Sequence, residues 1–142
     1  MSRQRSVSIE FFEVGFDHSD SKVYYFQTMG FMHSMMAGYT SFETGMKRLL
    51  SMLDELIPST FDSHVALVRR LAANDIPTRP AVLDRADLHR AIDRLRGFRH
   101  VAAHVYDFFN EDLARLAVGD AKIFVAEIGP AIDRFRAAID PD

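Results

Sequence analysis

The chain has 142 residues, is 48% hydrophobic, carries a formal net charge of −3 and contains no cysteine. That length suits a single domain, 1–142, with a substantial core, while the missing cysteines exclude disulfides and thiolate metal sites and fit a cytoplasmic chain. The acidic balance excludes a protein that binds nucleic acid over its whole surface, so any such contact must be local. No apolar run reaches the roughly 18 residues of a membrane span, and Met1–Ser8, with Arg3 and Arg5, has no hydrophobic segment of signal-peptide type.

Residues 1–20 read as an irregular N-terminal segment. Val7, Ile9 and Phe11 alternate like a short strand, whereas Phe12 and Phe16 have helical spacing. His18, between Asp17 and Asp20, reads as part of a solvated loop rather than a metal cluster. From Asp20 or Ser21, either of which can cap a helix start, Met32, Met35, Tyr39, Phe42, Met46, Leu49, Leu53 and Leu56 recur at steps of three and four. They predict one buried stripe ending before Pro58. Gly30 and Gly38 allow a break into two helices, the methionines read as core filler, and Glu43 with Lys47 reads as a surface pair.

A shorter helix is predicted over Phe61–Ala73, capped by Thr60, with Phe61, Val65, Val68 and Ala72 inward and His64 in a structural role. Asn74–Leu83, with Pro77 and Pro80, reads as a surface loop. Asp84 then caps a long helix whose first turn carries Asp87 and whose core stripe is Leu88, Ile92, Leu95, Ala102, Val105 and Phe109. Asn110 is predicted to cap a short helix ended by Gly119. A last helix follows over Asp120–Ile139, with Ala121, Phe124, Ile128, Ala131, Phe135 and Ala138 inward and a kink at Gly129-Pro130. Short links and no credible strand set give an all-α antiparallel bundle of four to five helices.

The chemistry concentrates at the end of the long helix, in Gly97-Phe-Arg-His-Val-Ala-Ala-His-Val-Tyr-Asp-Phe-Phe109. A histidine exchanges a proton near neutral pH, and an arginine holds a phosphate with forked donors. Arg99, His100 and His104, with Arg94 and Arg96 upstream, are therefore the minimum equipment for cutting a phosphodiester without a metal. On spacing alone the same residues also read as a surface arginine and a helix-end histidine that only packs or caps. Arg99 and His104 are five apart, about 140° around an ideal helix, so one copy brings them together only across a groove and a second copy is a natural complement. No Glu-x-x-His or His-x-x-x-Glu pair, glycine-rich phosphate loop or G-x-S-x-G elbow is present.

The pattern R-x4-H-x-Y of Arg99, His104 and Tyr106 resembles the signature of the HEPN superfamily, specifically its HepT-like ribonuclease toxins. Tyr39-Thr-Ser-Phe-Glu43 resembles the helix preceding the motif helix there, and the likeness runs from about Gly30 to Phe109. One departure is His100, where asparagine is frequent. The resemblance implies a HEPN-type bundle and a metal-independent, cofactor-free endoribonuclease, the toxin of a type VII-like toxin–antitoxin pair. It assigns catalysis to Arg99 and His104, with His100 a candidate acid, and adenylylation by an MntA-type nucleotidyltransferase antitoxin to Tyr106. It further implies a homodimer acting on RNA, with Arg94 and Arg96 as RNA contacts. The alternative is a non-catalytic accessory subunit that binds a partner nucleotidyltransferase and presents its substrate.

Overall fold

The computed structural model describes residues 9, 12–59, 62–104 and 109–140, with side chains throughout these except at 100–104. Among the described residues there is no strand, and besides helical residues 9 and 12–14 in the N-terminal segment there are α1 Ser21–Met52, α2 Ser63–Ala72, α3 Ala86–His104 and α4 Glu111–Ile139. The chain is thus all-α. Helix α3 packs against each of the other three, most extensively α4. The pairs Arg94–Asp120 and Asp84–Arg134 run α3 and α4 antiparallel. Phe31 of early α1 meets Phe98 of late α3, their centroids 6.1 Å apart, which makes that pair antiparallel too.

Helix α1 begins where Asp20 accepts from the backbone N–H of Lys22 and Val23, covering two of the donors that every helix start leaves open. It runs 32 residues without interruption, so Gly30 and Gly38 do not break it. Met32, Met35, Tyr39, Phe42 and Met46 are buried as the spacing requires, joined by Phe31 and Leu50. The helix ends at Met52 instead of continuing towards Pro58: Leu53 closes it and Asp54 takes a left-handed backbone with φ 58°. Leu56 is consequently 91% exposed and leaves the stripe.

Glu43 is the largest departure on α1. It is only 4% exposed and meets Nδ1 of His64 on α2, instead of forming a surface pair with Lys47. A buried carboxylate needs such a partner to offset its desolvation. Helix α2 starts at Ser63 and faces inward with Leu67, Val68 and Leu71; Val65 and Ala72 are only half-buried, and Thr60 and Phe61 lie outside the described residues.

The segment between α2 and α3 is no surface loop in its second half. The Val82 and Leu83 N–H groups donate to the Leu71 carbonyl at 2.9 and 3.1 Å, and both side chains are buried. The Arg79 side chain, 1% exposed, donates to the carboxylate of Glu55 and to the Pro80 and Arg70 carbonyls. Asp84 does not cap α3; its carboxylate receives both Nε and Nη2 of Arg134, at 2.7 and 2.9 Å, and this hydrogen bonding lowers its pKa. Asp87 accepts from the Leu88 N–H at the first turn.

Asn110 caps α4 as expected, accepting from Asp112 and Leu113. The helix then continues through both Gly119 and Pro130 to Ile139. Both lie on the exposed side, where water takes the carbonyl that the proline cannot serve. Ala114, Ala117 and Val118 therefore belong to the same buried face as Ala121, Phe124, Ile128, Ala131 and Phe135, while Ala138 is exposed. Phe42 and Phe124, edge to face at 5.4 Å, join α1 to α4 through the core.

Candidate functional site

The antiparallel arrangement gathers the start of α1, the end of α3 and the start of α4 at one end of the bundle, and Arg99, His100 and His104 lie on α3 at that end. An aromatic collar holds these elements together. Phe109 packs on Phe16 at 5.1 Å, Phe31 at 5.7 Å and Tyr24 at 6.5 Å, and Phe16 also meets Phe12 at 6.0 Å and Phe31 at 6.2 Å. Edge-to-face packing at such spacing is favourable beyond simple burial. The chain on either side of the α3 end is thereby fixed: Phe98 against Phe31 before it, Phe109 against Phe16 after it.

The three arginines of the motif helix are in different states. Arg94 donates through Nε and Nη2 to Asp120 of α4 at 2.8–3.1 Å; the Asp120 side chain is 7% exposed, and the hydrogen bonds raise the arginine pKa further. Arg96 donates to Asp93 at 3.1 Å on its own helix. Arg99 is half-buried, and its Nε, sealed from solvent, has no hydrogen-bond partner among the described residues. A charge-bearing donor left open in a restricted space is costly, and an anion brought to it would relieve that cost. The side chains of His100 and His104 fall outside the description, as does Tyr106 altogether. His89, in the first turn of the same helix, is half-buried.

Spacing did not reveal the pairing of the N-terminal segment with α4. His18 Nε2 lies 2.7 Å from Glu111 Oε1, and its ring stacks on Tyr24 at 4.9 Å. Burial and the nearby Glu111 carboxylate both push the Tyr24 phenol pKa up. The only sequence cue was the four-residue step from Phe12 to Phe16, which places two rings of the collar. Tyr39–Glu43 lies on α1, with α2 intervening before α3. A groove of about 400 Å³ runs between α3 and α4, lined by Arg94, Gly97, Phe98, Leu113, Leu116, Ala117 and Asp120.

Fold and site together define an antiparallel helical bundle with a cationic, histidine-bearing helix end. The sequence model of the HepT-like protein family matches residues 30–139. The chain belongs to that family, and its bundle is of the HEPN type; the family is generally one of HEPN ribonuclease toxins. No curated protein and no solved structure matches the chain.

Proposed function

We propose that this protein is the toxin of a type VII-like toxin–antitoxin pair, an endoribonuclease that works without a metal. The observation that carries this reading is Arg99: a half-buried guanidinium with an open Nε on the helix that bears the motif. His104 takes the proton of a ribose 2′-OH, the oxygen attacks the adjacent phosphorus, and the bond to the 5′-oxygen of the next nucleotide breaks. A proton delivered to that oxygen, for which His100 is the candidate, gives a 5′-OH end and a 2′,3′-cyclic phosphate. Arg99 holds the non-bridging oxygens as their charge grows, and stabilisation of developing charge is usually the largest catalytic contribution. Arg94 and Arg96 are the further candidate RNA contacts, available to a phosphate on release from Asp120 and Asp93.

In this reading two copies form a homodimer, and an MntA-type nucleotidyltransferase silences the toxin by adenylylating Tyr106. The added phosphodiester and base occupy the cationic end and repel incoming phosphates. An accessory role without cleavage draws support from the carboxylates that already occupy Arg94 and Arg96. Incubating the purified protein with total RNA, beside a His104→Ala control, separates the two. Cleavage that is lost in the control and unaffected by a chelator supports the enzyme; intact RNA in both lanes supports the accessory subunit.

A further inference from the structure

The groove between α3 and α4 has apolar walls and charges that are already matched. Leu113 and Leu116, 43% and 67% exposed, form its α4 wall, and Phe98 lines it from α3. Gly97 keeps the recess open: a Cβ placed there would meet nothing within 4 Å, so no described neighbour demands a residue that weakens a helix relative to alanine. At one end Arg94 donates to Asp120 through Nε and Nη2. Its volume, about 400 Å³, falls within the roughly 300–1,000 Å³ of small-ligand pockets.

We propose that this groove is a base-binding subsite, receiving an unpaired nucleobase of RNA that flanks the cleaved bond. Two observations select this occupant. A nucleotide strand is amphipathic, with flat uncharged rings on an anionic backbone, and this part of the bundle offers a counterpart to each. The groove supplies aromatic and aliphatic faces on which a base stacks, and the paired Arg94 and Asp120 bring no net charge to it. The open Nε of Arg99 suits the phosphate instead.

Helix register supplies the second observation. Position 104 follows Gly97 by seven residues, about two turns, and so continues the same side of α3 roughly 10 Å further on, whereas position 99 is turned about 200° away. Because α4 runs antiparallel, Leu113 lies at the groove end nearest position 104. A strand crossing the helix end between positions 99 and 104 therefore lays a neighbouring base back along the groove. A base paired in a duplex keeps its faces stacked and cannot enter, so the subsite selects single-stranded RNA. That the base flanks the cleaved bond rests on the ribonuclease reading; that the groove takes a base does not.

Amide NMR of the full chain tests the subsite directly. Each nucleoside 5′-monophosphate is titrated beside ribose 5-phosphate, which carries the sugar and the anion without the base. The nucleotides are expected to move the Gly97, Leu116 and Ala117 signals, and ribose 5-phosphate to leave them in place. Gly97→Leu fills the recess from a position with open space and is expected to leave the circular dichroism spectrum and the sedimentation unchanged. It should weaken binding of a single-stranded, uncleavable 2′-O-methyl RNA roughly 10-fold or more, because a stacked base is lost. Leu116→Ala, at an exposed position, should act in the same direction without altering α3. Groove signals that respond equally to ribose 5-phosphate, or an affinity unchanged in both variants, would overturn the proposal. So would a Gly97→Leu chain that changes its association state yet binds the RNA like the wild type, which would make the groove a protein seam. If nucleotides occupy the groove and no variant cuts RNA, the subsite stands and the ribonuclease reading falls; if RNA is cut while the groove stays silent, the reverse holds.

Discussion

Glu55→Gln is the sharpest probe of how the bundle is anchored at the end opposite the candidate site, where α1 stops and α3 begins. Glu55 follows α1 and its side chain is 7% exposed; its carboxylate accepts from Nε and Nη2 of Arg79, whose side chain is 1% exposed, and from Nε of the half-exposed Arg70 at 2.8 Å. Glutamine keeps the shape but turns one acceptor into a donor facing guanidinium N–H groups, and it leaves the Arg79 cation buried without a counter-charge. Breaking a buried ion pair from one side costs about 3–5 kcal/mol. Arg79 retains the Arg70 and Pro80 carbonyls, so the low end applies, about 3 kcal/mol. For a chain of this size that corresponds to a fall in Tm of roughly 10 °C.

Urea and thermal unfolding followed by circular dichroism measure the difference directly. The pH dependence supplies a second check with a fixed sign. The hydrogen bonds from Arg79, followed by those from Arg70, hold the Glu55 pKa below its ordinary 4.5 against the opposing effect of burial. Its stabilisation is therefore complete above pH 4.5 and is lost as the pH falls through the lower folded value. Glutamine does not titrate, so the gap between wild type and variant is constant at neutral pH and narrows in acid. A loss below about 1 kcal/mol, or a gap that widens on acidification, would refute the account of this anchor.

Other expectations follow the same logic. Gly119→Ala adds a methyl in open space on the exposed side of α4 and should stabilise by about 0.5–1 kcal/mol in urea titrations. His64→Ala leaves Glu43 buried without its imidazole partner and should cost about 1–3 kcal/mol, whereas Lys47→Ala should be near neutral. Arg99→Ala and His104→Ala should each lower RNA cleavage by roughly 10²–10⁴-fold with unfolding midpoints unchanged. Asp120→Asn should lower stability, because it opens a buried pair, and yet tighten RNA binding by freeing Arg94, with the salt slope steeper by about one phosphate contact; unchanged binding would remove Arg94 from the RNA surface.

The helical faces were legible because burial repeats with the helix. Phe42, Met46, Leu88, Ile92, Leu95, Phe124 and Phe135 all lie where steps of three and four put them. Periodicity failed where the deciding partner is remote in sequence. Glu43 looks like any surface glutamate until His64, 21 residues on, comes to its side. The segment 74–83 reads as loop because of its prolines, yet Arg79 is drawn inward by Glu55, 24 residues earlier. Asp84 reads as a cap, but Arg134, 50 residues away, claims its carboxylate. Gly119 reads as a stop because propensity is a local quantity. On an exposed face of a helix buried along its other side, tertiary packing outweighs it.

The candidate site was legible in a different sense: residue types and spacing nominated it, and the fold distributes the charge of its arginines. Of three arginines that look equivalent in sequence, Arg94 is held by α4 and Arg96 by its own helix. Arg99 alone among these three keeps a sealed donor open. The distinction depends on Asp120 arriving from a helix that runs antiparallel to α3, and on Asp93 one turn before Arg96. The carboxylates thus offset Arg94 and Arg96, and leave Arg99 nearer the helix end with a donor to spare. Among the described residues, a phosphate approaching α3 meets Arg94 and Arg96 already paired with carboxylates and, nearer the two histidine positions, Arg99 with its Nε unbonded. Such an arrangement concentrates the field where bond breaking is proposed to occur, and it reconciles an acidic chain with an RNA substrate: the attraction need only be local, at the helix end.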